Sequence, residues 1–485
     1  MKTKYGILPA AFLFLLAAAC QRAPEQAGEA TEAQKTKQEQ ASDARPVFSV
    51  PVEYHTLDNG LKVVMSQDET APLVTVAVYY NIGFRIEPRD RTGFAHLFEH
   101  MMFQGSKNLG KMEFVNLVQR NGGVLNGSTR FDFTNYFEIV PSNKLETMLW
   151  AEADRMRSLD ITQDNLVNQQ GVVKNEVKVN VLNTPYGGYP WLDMPQYANS
   201  NWYNAHNFYG ELDDLDAASL DDVADFFSKY YAPNNAAVAI VGDFEYQDAL
   251  ALVREHFGDI RPSQEPIELP DISEPRQEEQ KIASRRDPLA TRPGFAFAYH
   301  APPRLTKQWY AMGLLDQVLL QGEDSLLHQA LVKREGITSS VDGGINAFLG
   351  NMLNYKGPML WQAFFIHDQN VDQERIFNVL DEVIERVRTQ PVDAETLARA
   401  KVKWRSGYYD TVTDNFGFGR ADLLASLALF DDKPQLINEF ETEILDVTPE
   451  LMLQTAREYL RPTNRTVLTL EAGAGTDEEE VASND

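Results

Sequence analysis

Residues 93–105 read GFAHLFEHMMFQG, and three ionisable side chains, His96, Glu99 and His100, stand inside that apolar run. On a helix, His96 and His100 are one turn apart and share a face, with Glu99 beside them. Phe94, Ala95, Leu97, Phe98, Met101, Met102 and Phe103 cover the remaining surface, the pattern of a buried helix. Two imidazoles and a carboxylate buried without partners are costly. A divalent metal held by the two histidines, with Glu99 free to move protons, satisfies all three. The competing reading is a core helix with hydrogen-bonded histidines. The chain has only 8 His in 485 residues, so two at this spacing around a Glu weigh for the metal.

Zinc in a hydrolytic site takes three protein ligands and keeps one position open. The third must come from another buried polar position. Asp164–Leu182 reads as a long helix, and in its stretch GVVKNEVKVNVL, Glu176 sits among Val172, Val173, Val177 and Val179. Alone, an exposed helical Glu is the default for such a residue.

The elements that must position these residues follow from periodicity. Val47–Met65 alternates around a turn at Asp58-Asn59-Gly60 and predicts a hairpin. Pro72–Ile82 predicts a core strand, Lys111–Asn121 a helix ending at Gly122-Gly123, and Val124–Val140 two strands. Ser142–Leu159 predicts a helix with Ser142 as N-cap, and the aromatic stretch 184–208 a packed loop. Helix 220–231, strand 236–241 and helix 248–257 follow. Residues 263–288, rich in Pro, Glu, Gln and Arg, read as an interdomain linker. Beyond it the pattern restarts: strand 293–302, helices 308–320 and 324–334, strand 359–368, helices 372–388, 394–409 and 448–459, strand 466–470. Strand, helix, hairpin and long helix thus occur twice, predicting an α+β chain of two similar domains, 47–262 and 289–470. Only the first carries H-x-x-E-H.

Composition bounds the rest. A hydrophobic content of 43% and a charged content of 24% are those of a folded globular protein. The net charge of −27 excludes nucleic acid as a partner and electrostatic docking on anionic lipid. The first twenty residues, MKTKYGILPAAFLFLLAAAC, combine Lys2 and Lys4 with an apolar run too short to span a bilayer. They read as a signal peptide over 1–19, and their end resembles the lipobox of bacterial lipoproteins. That resemblance implies lipidation of Cys20, with Gln21 pointing to the outer membrane; an ordinary cleaved signal is the alternative. A single Cys excludes an internal disulfide. Residues 20–46 lack large apolar side chains and read as a disordered tether, and 471–485 as an acidic tail.

Four blocks in order, GFAHLFEHMMFQGS, GGVLNGSTRFDFTNYFEIVPSNKLE, GVVKNEV and YYAPNNAAVAIVGDF, resemble the insulinase/pitrilysin metallopeptidases, which include mitochondrial processing peptidase. The likeness runs from about residue 48 to 470. It implies two homologous α+β domains, each an antiparallel-rich sheet covered by helices, with the metal site in the first. His96, His100 and Glu176 would hold Zn²⁺, one ion per chain, and Glu99 would be the general base. The segment GGVLNGST resembles the family's edge strand, which binds extended peptides by main-chain pairing; Asn126 is the residue to watch there, a simple turn Asn being the alternative.

The chain departs from the family twice. Where the family often has a supporting Glu seven residues before the third ligand, this chain has Gln169, which can hydrogen-bond but brings no charge. Where the family's other domain supplies an Arg and a Tyr for the substrate carbonyl, this chain has Val332 and Ser339. The resemblance therefore implies a zinc endopeptidase subunit acting on peptides or unfolded segments in the periplasm. The Arg/Tyr pair would come from a homologous partner chain, a heterodimer, with a homodimer as the alternative. The competing functions are a non-catalytic assembly subunit and a peptide-binding lipoprotein.

Overall fold

The hairpin expected before residue 65 forms as β1 (Glu53–Thr56) and β2 (Lys62–Gln67), antiparallel from Glu53↔Met65 to Thr56↔Lys62. With β3 (Leu73–Tyr80), β4 (Val124–Thr129), β5 (Thr134–Pro141) and β6 (Ala236–Gly242) it makes a six-stranded sheet in the order β1-β2-β6-β3-β5-β4. Only β2 and β6 run parallel. The structure, a computed structural model, describes residues 48–414 and 417–473. The signal peptide, Cys20, the tether and the acidic tail beyond 473 lie outside the described residues.

The pleat of β3 sends Val74, Val76, Val78 and Tyr80 into one core and Ala77 and Tyr79 into another. The first core is roofed by helices of the same half: α1 (Phe94–Met101), α2 (Glu113–Arg120), α3 (Leu145–Arg157), α4 (Gln163–Val177), and, further along, α6 (Leu220–Tyr230) and α7 (Tyr246–Phe257). Between α4 and α6 lies α5 (Asp193–Ala198).

The second sheet, β7 (Lys281–Asp287), β8 (Gly294–His300), β9 (Asp342–Ile345), β10 (Leu360–Ile366) and β11 (Arg465–Ala472), has the order β7-β11-β8-β10-β9. Matching β7 to β2 and β11 to β6 superimposes the two strand orders, and the parallel pair, β7 with β11, falls at the same place. Its helices are α8 (Lys307–Leu319), α9 (Gln373–Thr389), α10 (Ala394–Val412), α11 (Phe418–Asp431) and α12 (Pro449–Tyr459).

The halves exchange helices. Helix α11, from the second half, packs against β2, β3 and β6, and α5, from the first, packs against β7, β8 and β11. The described residues from Val50 onward form one compact unit as a result.

Several expectations are corrected here. The segment read as a linker ends in β7, paired with β11, and the segment read as a tail begins inside β11. The stretch read as a packed loop contains α5 and a short helix, Trp202–Ala205, because Met194 and Ala198 bury against the second sheet. Ser142 does not cap α3; it lies in a 3₁₀ turn and its Oγ donates to Asp243 Oδ2 (2.9 Å). The helix expected over 324–334 is a π-helical turn, His328–Arg334. Helix α11 was not anticipated: LLASLALF is apolar on every side and shows no helical period.

Candidate active site

Helix α1 buries Phe94, Leu97, Phe98 and Met101, with Phe94 and Phe98 packed on Phe226 of α6 (5.5 and 4.9 Å between ring centroids). That apolar anchoring leaves His96, Glu99 and His100 on the opposite face. Its N-terminus starts at Gly93 with φ 82° and no side-chain cap of its own. Glu87 takes that role from outside the helix. Its buried carboxylate accepts from Gly93 N (2.9 Å) and Ala95 N (2.6 Å). Burial raises the Glu87 pKa, while His206 and the two N–H groups pull it down.

Helix α4, started by Thr162 as N-cap, crosses α1 and carries Glu176 near its end, where the winding loosens into a π turn, Lys178–Leu182. His96 Nε2 lies 3.6 Å from Glu176 Oε1, and His100 Nε2 lies 3.2 Å from Oε2. One ligand atom from each of the three residues falls within 4.8 Å of the others. Tetrahedral zinc with bonds near 2.1 Å sets its ligand atoms about 3.4 Å apart, so these three fit such an ion. Hydrogen bonding to His100, and then to His96, holds the Glu176 carboxyl far below the usual range.

Glu99 stands apart from this trio. Thr129, the last residue of edge strand β4, donates from Oγ1 to Glu99 Oε2 (2.7 Å). One carboxylate is thus turned to the imidazoles and the other is held by a neutral hydroxyl. That division suits one ligand and one proton carrier.

Asn126 is exposed on β4, its Oδ1 accepting from Gly127 N (2.9 Å). Gln169 is buried, and its Nε2 donates to Asn168 Oδ1 (2.8 Å), a contact within α4 rather than with a candidate ligand. Val332 lies half-buried in the π-helical turn and Ser339 is exposed. Thr129, Glu87 and Tyr209, whose ring packs against His96, were not singled out from the sequence. Each reaches α1 from elsewhere in the chain, and no local period marks such contacts. Tyr209 is pushed up to about 12 by burial first, then by the charges of Glu176 and Glu99. Arg155 pairs through Nη2 with the buried carboxylates of both Glu138 and Glu152. Burial and the neighbouring Glu152 raise the Glu138 pKa.

Known proteins resemble this chain in sequence and in fold. Residues 62–185 match the family described as Insulinase (Peptidase family M16), and residues 217–403 match Peptidase M16 inactive domain. The zinc protease PqqE of Helicobacter pylori is 28% identical over 420 residues, 86% of this chain and 91% of its own. Mitochondrial-processing peptidase subunit beta of Bos taurus is 25% identical over 217 residues, 44% of each chain. Among solved structures, a protease from Helicobacter pylori aligns with a TM-score of 0.81 at 26% identity, covering 87% of this chain and 100% of that one. The first half of the periplasmic protease PqqL from Escherichia coli aligns with a TM-score of 0.68 at 16% identity, over 88% of this chain and 93% of that one, a likeness of fold alone. The chain belongs to the insulinase family of peptidases, family M16.

Proposed function

We propose that this chain is a zinc-dependent endopeptidase subunit that hydrolyses peptides or unfolded segments. The observation that carries the reading is the convergence of His96, His100 and Glu176 beside a Glu99 held separately by Thr129. When bound, zinc supplies a Lewis acid that polarises the scissile carbonyl and makes water a stronger acid. Glu99 takes the proton of the attacking water and passes it to the leaving amine. Thr129 keeps that carboxylate aimed. Strand β4 lies at the edge of its sheet, with one side unpaired among the described residues, and can hold an extended peptide by main-chain hydrogen bonds alongside Asn126. Glu99→Gln keeps the ligand set and removes the base. The expected result is stoichiometric zinc by metal analysis and loss of peptide cleavage; cleavage at the wild-type rate sinks the reading.

Charge developing on the carbonyl oxygen needs hydrogen-bond donors. With Val332 and Ser339 at the positions of the family's Arg/Tyr pair, those donors come from a homologous partner chain. Full activity of the chain purified alone with zinc excludes that requirement. A second reading, an assembly or peptide-binding subunit that keeps the fold without catalysis, is favoured by the same substitutions. It predicts that Glu99→Gln leaves the cellular phenotype unchanged. The chain is placed in the periplasm, lipid-anchored through Cys20 to the outer membrane. That placement is supported by the N-terminal sequence and by a relative described as a periplasmic protease. Among the described residues no helix is long and apolar enough to cross a membrane. Cys20→Ala should abolish incorporation of labelled fatty acid.

A further inference from the structure

His96 faces Glu176 through Nε2, and its Nδ1 is buried with no hydrogen-bond partner among the described residues. Ligand histidines are ordinarily oriented through that second nitrogen by a carboxylate, a carbonyl or water. Two rings touch the imidazole. One is His100, at 5.0 Å and 89°, whose own Nε2 converges on Glu176. The other is Tyr209, at 5.1 Å and 69°.

Tyr209 is itself held in place. Trp191 packs on it edge to face (5.7 Å, 74°), and its backbone N donates to Asn207 Oδ1 (3.1 Å). Its backbone is pressed against the start of α1: a Cβ on Gly93 would lie 2.6 Å from Tyr209 O, and one on Gly210 would lie 2.3 Å from Gly93 N. Asp214 closes the same segment by accepting from Thr92 N (3.2 Å). The stretch from Asn207 to Asp214 is therefore a brace against the N-terminus of the site helix, and Tyr209 is its point of contact with a candidate ligand.

We propose that Tyr209 is the positioning residue of His96, its ring packed edge to face against the imidazole. An edge-to-face pair of aromatic rings is attractive, and it fixes the plane of both rings. Such a support orients the ligand without adding charge. The inference rests on the zinc reading above.

The test uses the full chain without substrate, and reads zinc affinity by competition with a chromophoric chelator. Tyr209→Phe keeps the ring and should bind zinc within about twofold of wild type. Tyr209→Leu removes the ring and should bind roughly 10–100-fold more weakly, the usual cost of losing such a support. The visible spectrum of the cobalt-substituted protein should be unchanged in the Phe variant and shifted in the Leu variant. Unfolding of the metal-free forms monitors folding, and Tyr209→Met replaces the Leu variant if that one does not fold. Wild-type affinity and spectrum in the Leu or Met variant overturn the proposal. So does a Phe variant as weak as Leu, which would assign the effect to the hydroxyl. If neither non-aromatic variant folds, the ring is a core residue and the proposal falls. A wild-type chain that takes up no zinc instead fails the zinc reading itself.

Discussion

Glu99 and His100 are adjacent in the chain and meet different partners. His100 meets Glu176, and Glu99 meets the hydroxyl of Thr129. The candidate ligand pair His96 and His100 is legible in the sequence because helical spacing is local. The supports are not, because Thr129 comes from a strand edge, Glu87 from a loop and Tyr209 from a brace more than a hundred residues downstream. Thr129→Val removes the donor to Glu99 and keeps the shape. It should lower kcat by roughly tenfold with zinc content unchanged, as steady-state kinetics and metal analysis would read. A kcat equal to wild type would show that Thr129 does not aim the carboxylate.

At the scale of elements, strong periodicity marks the first hairpin, β3, α1, α4 and the long amphipathic helix α9 in the sequence. Two-sided burial erases that mark. Helix α11 is surrounded by the first sheet on one side and the second half on the other, so its sequence has no polar face to betray a helix. Its buried Asp422 accepts from Tyr79 Oη on β3 (2.7 Å), a polar contact inside that crossing. Leu427 of α11 is fully buried, and Leu427→Ala should cost ~2–5 kcal/mol of unfolding free energy by denaturant titration. A cost under about 1 kcal/mol would mean that α11 is not part of the core it is packed in.

Across the whole molecule, two sheets with the same strand order carry different chemistry. In the second, α8 occupies the place of α1 after the corresponding strand, and it bears Asp316 rather than a pair of histidines. Asp316 accepts from Trp361 Nε1 (2.7 Å), and burial pushes its pKa from 3.8 up to about 6. The folded chain then holds a proton that the unfolded chain releases, so stability falls as pH rises from about 4 to about 6. Asp316→Asn keeps an acceptor for Trp361 and removes the titration. It should flatten that part of the stability profile, relieving up to about 3 kcal/mol at neutral pH. Unfolding curves across that range, identical to wild type, would show that the group does not titrate as its burial implies.

The sequence by itself determined the α+β class, the repeated order of elements and the shared helical face of His96 and His100, whereas Glu176 joined them only through the resemblance to the family. The class, the order and the shared face follow from periods of two and 3.6 residues and from the cost of burying polar groups. Tertiary structure alone decided the exchange of α5 and α11 between the halves, the separate support of Glu99 by Thr129, and the brace that sets Tyr209 against His96. Those are contacts between residues far apart in the chain, and a local pattern records which face of an element is buried but not what it is buried against.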